Sequence, residues 1–157
     1  MKAAIDVQNL QKIYDNGLEA LKGINISIPQ GSFYGLLGPN GAGKTTTIGI
    51  ITGLINITSG SVSIMGYDSV KNFRQARKLI GLSPQELNFD VFFSMEELLE
   101  LQAGYYGLPY KDAKERTTLM LEQFGLVEKR KARSRELSGG MKRRVQIAKA
   151  LVHDPPI

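Results

Sequence analysis

The chain has no cysteine and a single histidine, His153, among its 157 residues. Disulfide scaffolds, thiol chemistry and zinc clusters are excluded at once, and the composition suits a reducing compartment. No apolar run approaches the ~18 residues that a membrane span needs. The longest candidate, around Ile48 to Ile57, is broken by Gly49, Thr52, Gly53 and Asn56. The opening Met1-Lys2-Ala3-Ala4-Ile5-Asp6 lacks the apolar core of a signal peptide. The expectation is a cytoplasmic chain of one domain's size that does not itself cross a membrane. With 42% hydrophobic and 22% charged residues, wholesale disorder is not expected.

The net charge of +5 is unevenly placed: residues 129–149 hold nine Lys or Arg against Glu136 alone, a net +8, which leaves −3 for the remainder. One basic segment on a mildly acidic body indicates a local role and not a nucleic-acid-binding surface. Glycine is abundant, 17 residues, and clustered.

Residues 3 to 28 alternate loosely through Ile5, Val7, Ile13, Ile24, Ile26 and Ile28, with Asn16-Gly17 as the turn, which predicts two antiparallel strands. The apolar run Phe33-Tyr34-Gly35-Leu36-Leu37 reads as a short buried strand. A glycine-rich loop and a helix from about Gly43 to Leu54 follow. Ser61-Val62-Ser63-Ile64-Met65 alternates as a strand, residues 70–77 are weakly amphipathic, and Lys78-Leu79-Ile80-Gly81-Leu82 is again strand-like. From Ser94 the period becomes helical. Ser94 and Glu97 form a capping box ahead of Leu98, Leu99 and Leu101; a second helix spans about Lys111 to Phe124. A third spans Ser138 to Val152, with Val145, Ala148 and Leu151/Val152 on one face, and Pro155-Pro156 stops it.

Gly38-Pro39-Asn40-Gly41-Ala42-Gly43-Lys44-Thr45 matches G-x-x-x-x-G-K-[ST] in full, between the expected strand and helix. Glycines let successive backbone N–H groups approach phosphate oxygens with no Cβ in the way. The helix that follows points its positive end at the same place. Lys44 has the reach for β and γ phosphates, and the Thr45 hydroxyl suits Mg²⁺. Average composition yields this pattern in roughly one chain of this length in two hundred, so nucleotide binding outranks a mere connecting turn.

One hundred residues on, Leu137-Ser138-Gly139-Gly140 opens the last helix, with Ser138 as N-cap. By itself this is either a second anion site or a capped helix with a flexible start. The order Tyr14, glycine loop, Ser83-Pro84-Gln85 at a strand end, Leu137-Ser138-Gly139-Gly140 resembles the ATP-binding cassette (ABC) ATPases over the whole chain. The resemblance implies an α/β P-loop fold in which an N-terminal antiparallel β-subdomain and a RecA-like core carry an inserted helical subdomain. Its expected divisions here are 1–84 (β-subdomain and glycine-loop core), 85–137 (Gln85 loop and helical subdomain) and 138–157 (signature helix). It also implies that Gly38 to Thr45 and Thr46 bind ATP, and that Tyr14 stacks on adenine. Gln85 would contact Mg²⁺, together with Thr45, and the attacking water. Leu137, Ser138, Gly139 and Gly140 would close over ATP held by the other cassette of a homo- or heterodimer. Without the resemblance, Tyr14 reads as half-buried packing at a strand end and Gln85 as a solvated loop residue.

The wording Ser138-Gly139-Gly140-Met141-Lys142-Arg143-Arg144, with Gln85-Glu86 and Ala103-Gly104-Tyr105-Tyr106-Gly107, is similar to bacterial ATPase subunits that serve separate membrane subunits in drug, polysaccharide or lipid export. That similarity implies a subunit peripheral on the inner face of the cell membrane. Two other classes remain open: a soluble cassette acting on ribosomes or DNA, and a nucleotide-binding fragment with no enzymatic role.

The family's apolar strand ending Asp-Glu, and its later switch histidine, have no counterpart here. None of Asp6, Asp15, Asp68, Asp90, Asp112 and Asp154 ends an apolar run, and His153 falls at the end of the signature helix. The expectation is the N-terminal part of a cassette that binds ATP without turning it over, with an unpaired interior strand edge that leaves it marginally stable. Two segments remain ambiguous. Lys129 to Arg135 is a solvated basic run or an attractor of anionic lipid or phosphate, with no aromatic interleaving to favour nucleic acid. Leu87-Asn88-Phe89-Asp90-Val91-Phe92-Phe93 is a connection buried under the helices or, through the resemblance, part of the groove for a membrane partner.

Overall fold

The computed structural model describes residues 2–87 and 89–157. They form two compact units, one running up to Leu79 and including Ile157, the other Ile80–Pro156; Asn88 lies outside the described residues.

In the first unit, β1 (Ala3–Ile13) and β2 (Glu19–Pro29) make the expected hairpin. Its turn is closed by Tyr14 N–H to Leu18 O at 2.9 Å and Gly17 N–H to Tyr14 O at 2.8 Å. β3 (Ser59–Ile64) and the short β4 (Tyr67–Asp68) complete an antiparallel sheet of order β2-β1-β3-β4. The register puts Val7 opposite Ile26 and Val62, and Ile5 opposite Ile28 and Ile64. Period-two alternation therefore collects Ile5, Val7, Val62 and Ile64 on one buried face, and Leu10, beyond a register shift that follows Val7, is buried as well. Helix α1 (Lys44–Ile51) adds Ile50 and Thr47 to this core, and α2 (Phe73–Lys78) adds Ala76.

Two expected strands are absent. Residues 33–37 take no part in the sheet, and Phe33 and Leu37 are fully or nearly fully exposed. A strand is defined by its partner, and none of the described residues pairs with this run. Lys78 instead closes α2, Leu79 caps it in helical conformation, and residues 80–82 belong to no ladder. Gly81 in that run is packed so tightly that a Cβ would stand 2.3 Å from the Ala150 carbonyl oxygen. Gln85 accordingly sits in a bend after an unpaired segment and not at a strand end.

The second unit holds α3 (Met95–Tyr105), α4 (Tyr110–Gln123), two short 3-10 turns and α5 (Gly139–Leu151). The capping box forms as expected: Ser94 N–H donates to Glu97 Oε2 at 2.8 Å, and Glu97 N–H donates back to Ser94 Oγ at 3.4 Å. The three helices enclose Met95, Leu99, Leu121, Leu126, Val145 and Val152, all fully buried; each contributes about 1.5–3 kcal/mol. Val152, not Leu151, belongs to this core; Leu151 is 39% exposed. The basic run is only partly solvated. Arg130 meets Glu96 at 3.0 Å, Lys131 pairs with the same carboxylate, and Met95 N–H reaches Ala132 O at 3.0 Å. Lys131 first, then Arg130, hold the Glu96 carboxyl below the usual carboxylate range.

Candidate nucleotide site

The glycine loop leads into α1 through Gly43, the N-cap, at φ 83°. A Cβ at Gly43 would stand 2.6 Å from Leu21 Cδ2 and 2.9 Å from Ala20 O, so both the left-handed backbone and the space require glycine. Gly41 has the same φ of 83° with nothing near it. The loop is drawn around one side chain: Lys44 Nζ donates to Gly38 O and to Pro39 O, each at 2.6 Å. An ammonium inside a ring of backbone groups makes the concavity a place for anions. The first turn of α1 contains no acidic residue and no side-chain cap, which leaves its leading N–H groups without an intrahelical acceptor.

The threonines after Lys44 have different surroundings. Thr47 is buried and donates to Gly43 O at 2.9 Å. Thr45 is exposed at the loop's mouth. Thr46 Oγ1 lies 3.3 Å from the Tyr14 hydroxyl, and Lys12 Nζ sits 5.0 Å from the centre of the Tyr14 ring. Tyr14 is thus half-buried beside the loop's helix, although 32 residues separate it from Thr46.

The second unit carries the other expected residues. Gln85 is exposed in its bend. Leu137 is buried, and Ser138 caps α5, its Oγ accepting from Met141 N–H at 3.3 Å. Gly139 and Gly140 are exposed, neither has a positive φ, and an added Cβ at either would meet nothing within 4 Å. No backbone strain and no neighbour among the described residues demands glycine at those positions; the bare surface is the feature. His153 stacks on Tyr106 with ring centres 3.4 Å apart and donates from Nε2 to Ile80 O at 3.1 Å, which makes it a packing residue.

The chain matches the ABC transporter family model over residues 21–157. The chain belongs to that family. Among relatives, it is 40% identical over 153 residues to the linearmycin resistance ATP-binding protein LnrL of Bacillus subtilis strain 168, covering 98% of this chain and 49% of the relative. It is 41% identical over 155 residues to the Nod factor export ATP-binding protein I of Burkholderia orbicola strain AU 1054, covering 99% and 51%. The chain therefore spans about half the length of these curated relatives. Its fold is that of solved cassettes. An ATP-binding subunit of an ABC transporter superposes with a TM-score of 0.84 at 30% identity, covering 97% of this chain and 63% of that one. The dimeric, post-hydrolysis cassette MJ0796 bound to ADP and Pi superposes at 0.82 with 28% identity, covering 96% and 70%.

Within this ABC cassette, the apolar segment after Gln85 resolves into two parts. Phe89 packs against the helical core, as a buried connection would, whereas Val91 and Phe92 are exposed. Phe93, Leu101, Tyr105 and Tyr110, with Glu97 and Glu100, line a groove of about 510 Å³. Among the described residues no group of three or more His, Asp or Glu is arranged to hold a metal ion, and no helix is long and apolar enough to cross a membrane. Sequence reasoning missed Arg143 and Gln146, which bond the backbone around Gln85. The one available signal was a glutamine inside the apolar stripe of α5.

Proposed function

We propose that this cassette is the ATP-binding portion of an export ATPase, working as a homo- or heterodimer on separate membrane subunits at the inner face of the cell membrane. The observation that carries the reading is the glycine loop: left-handed glycines, an acid-free helix start and Lys44 converging on one concavity. Backbone amides from Gly38, Pro39-linked Asn40, Gly41, Ala42 and Gly43 to Thr46 receive the phosphates. Lys44 exchanges its loop carbonyls for β- and γ-phosphate oxygens, a stronger charge-assisted pairing. Tyr14 offers its ring to adenine.

By the resemblance to the family, Thr45 and Gln85 would each offer a neutral oxygen to Mg²⁺. When bound, Mg²⁺ neutralises charge on the β and γ phosphates. Leu137, Ser138, Gly139 and Gly140 present a capped positive helix end with no side chain in the way, suited to the γ-phosphate of ATP held by the other cassette. ATP gripped from two sides stabilises the dimer as the dimer stabilises ATP. The absence of an Asp-Glu pair at the end of an apolar strand supports ATP binding without turnover by these 157 residues. In the complete protein the same site would hydrolyse ATP.

Export is supported by the similarity to relatives named for resistance and export, and a membrane partner by the exposed Val91-Phe92-Phe93 edge. The experiment is co-purification of the complete protein with its membrane subunits after Phe92→Ser and Phe93→Ser. Assembly should fall at least ~10-fold with ATP affinity nearly unchanged. Equal loss of both, or full assembly, would refute the docking role.

A further inference from the structure

One buried glutamine spends both of its amide hydrogens on the loop that carries Gln85. Gln146 is 5% exposed. Its Nε2 donates to Pro84 O at 2.8 Å and to Glu86 O at 2.7 Å, and its Oε1 accepts from Arg143 Nη1 at 3.2 Å. The same Arg143 nitrogen donates to Pro84 O at 2.9 Å and to Gln85 O at 3.3 Å. Arg143 and Gln146 stand three residues apart on α5 and so share a face. Three consecutive carbonyls, outside any sheet ladder, are held by two side chains of the helix that Ser138 caps.

We propose that Arg143 and Gln146 are positioning residues: they fix the Pro84–Glu86 backbone to α5, so that Gln85 is presented from a rigid base and moves with Ser138, Gly139 and Gly140. The proposal rests on the reading of Gln85 as a Mg²⁺ and water contact. A helix is stiff over the two turns from Ser138 to Gln146, so a displacement of the signature carries the Gln85 loop with it. A cassette would thereby tie the site it completes in its partner to the site it occupies itself, through one element both depend on. Two side chains that only satisfied loop carbonyls would leave the cation dependence of ATP binding untouched.

The chain has no cysteine, so Leu87→Cys, an exposed position beside the held carbonyls, takes a single nitroxide label. The label should be immobilised in the parent and mobile in Gln146→Ala, with Arg143→Lys intermediate because one cationic donor remains. Should Gln146→Ala lose its helical circular dichroism, the exposed Arg143→Ala carries the same comparison. In the same proteins, the gain in ATP affinity on adding Mg²⁺ should drop about fivefold or more in Gln146→Ala and in Gln85→Ala alike, with Mg²⁺-free affinity unchanged. Unchanged label mobility in folded variants overturns the clamp. A mobile label with an intact Mg²⁺ gain overturns the positioning role. An intact Mg²⁺ gain in Gln85→Ala overturns the reading of Gln85, and the proposal with it, while the label still reports the clamp by itself.

Discussion

Replacing both signature glycines with alanine should make the helical unit more stable and ATP-driven dimerisation weaker. Gly139 and Gly140 form the first two positions of α5, neither has a positive φ, and an added methyl at either meets no atom within 4 Å. Alanine exceeds glycine by about 0.8–1.0 kcal/mol in a helix interior. At the first turn, where hydrogen bonding is incomplete, roughly half of that applies, so the double substitution gains about 1 kcal/mol. For a unit the size of Ile80–Pro156 this raises Tm by about 4–8 °C, read by circular dichroism at 222 nm. The two methyls would stand on the bare surface proposed to face the partner's γ-phosphate, so ATP-driven dimerisation of the complete protein, followed by light scattering, should be lost. A fall in Tm would refute the geometric reasoning. A rise in Tm with dimerisation intact would refute the role given to the signature.

Gly43→Ala should cost about 3 kcal/mol or more, because left-handed strain adds to the clash with Leu21 and Ala20; Gly41→Ala, with strain alone, should cost about 1 kcal/mol. Urea unfolding of the two variants side by side checks the difference. His153 gives a pH dependence whose sign is set by its surroundings. Burial first, then Arg116, push its pKa below the usual value of 6.5, outweighing the Ile80 carbonyl and Asp154. Nε2 donates, so Nδ1 is the bare nitrogen, buried and without a partner among the described residues. The unfolded chain therefore takes up the proton first: the contribution is full above about pH 6.5 and is lost as pH falls from there through the depressed folded value. Stability measured at steps between pH 8 and pH 5 should decline in the parent, and His153→Phe, which keeps an aromatic ring on Tyr106, should abolish that part of the decline.

What could be read from the sequence was whatever local chemistry decides. The β1–β2 hairpin follows from period-two alternation around Asn16-Gly17, and the start of α3 from Ser94 and Glu97, three residues apart. The glycine loop was legible for the same reason: its conformation is set by its own backbone. The runs at 33–37 and 78–82 were misread because apolar composition records fitness for burial and says nothing of what is there to pair with. Phe33 and Leu37 are as apolar as Val7 and Leu10, yet only the latter find partners among the described residues. Tyr14 beside Thr46, and Arg143 and Gln146 beside the Gln85 loop, join residues 32 to 62 positions apart. No periodicity encodes such distances. Within α5, Gln146 in the stripe of Val145 and Ala148 was the single visible irregularity, and it marks the contact with the Gln85 loop.

The central claim is that ATP binds in the glycine loop through Lys44. Titrating the chain with ATP in a calorimeter, against Lys44→Ala, tests it directly. Among the described residues the Lys44 ammonium bonds to the carbonyls of Gly38 and Pro39 alone, so its removal should leave the circular dichroism spectrum unchanged. One ATP per chain in the parent, with affinity reduced at least ~10-fold in Lys44→Ala, is the expected result. No binding by the folded parent, or equal binding by both proteins, would contradict it.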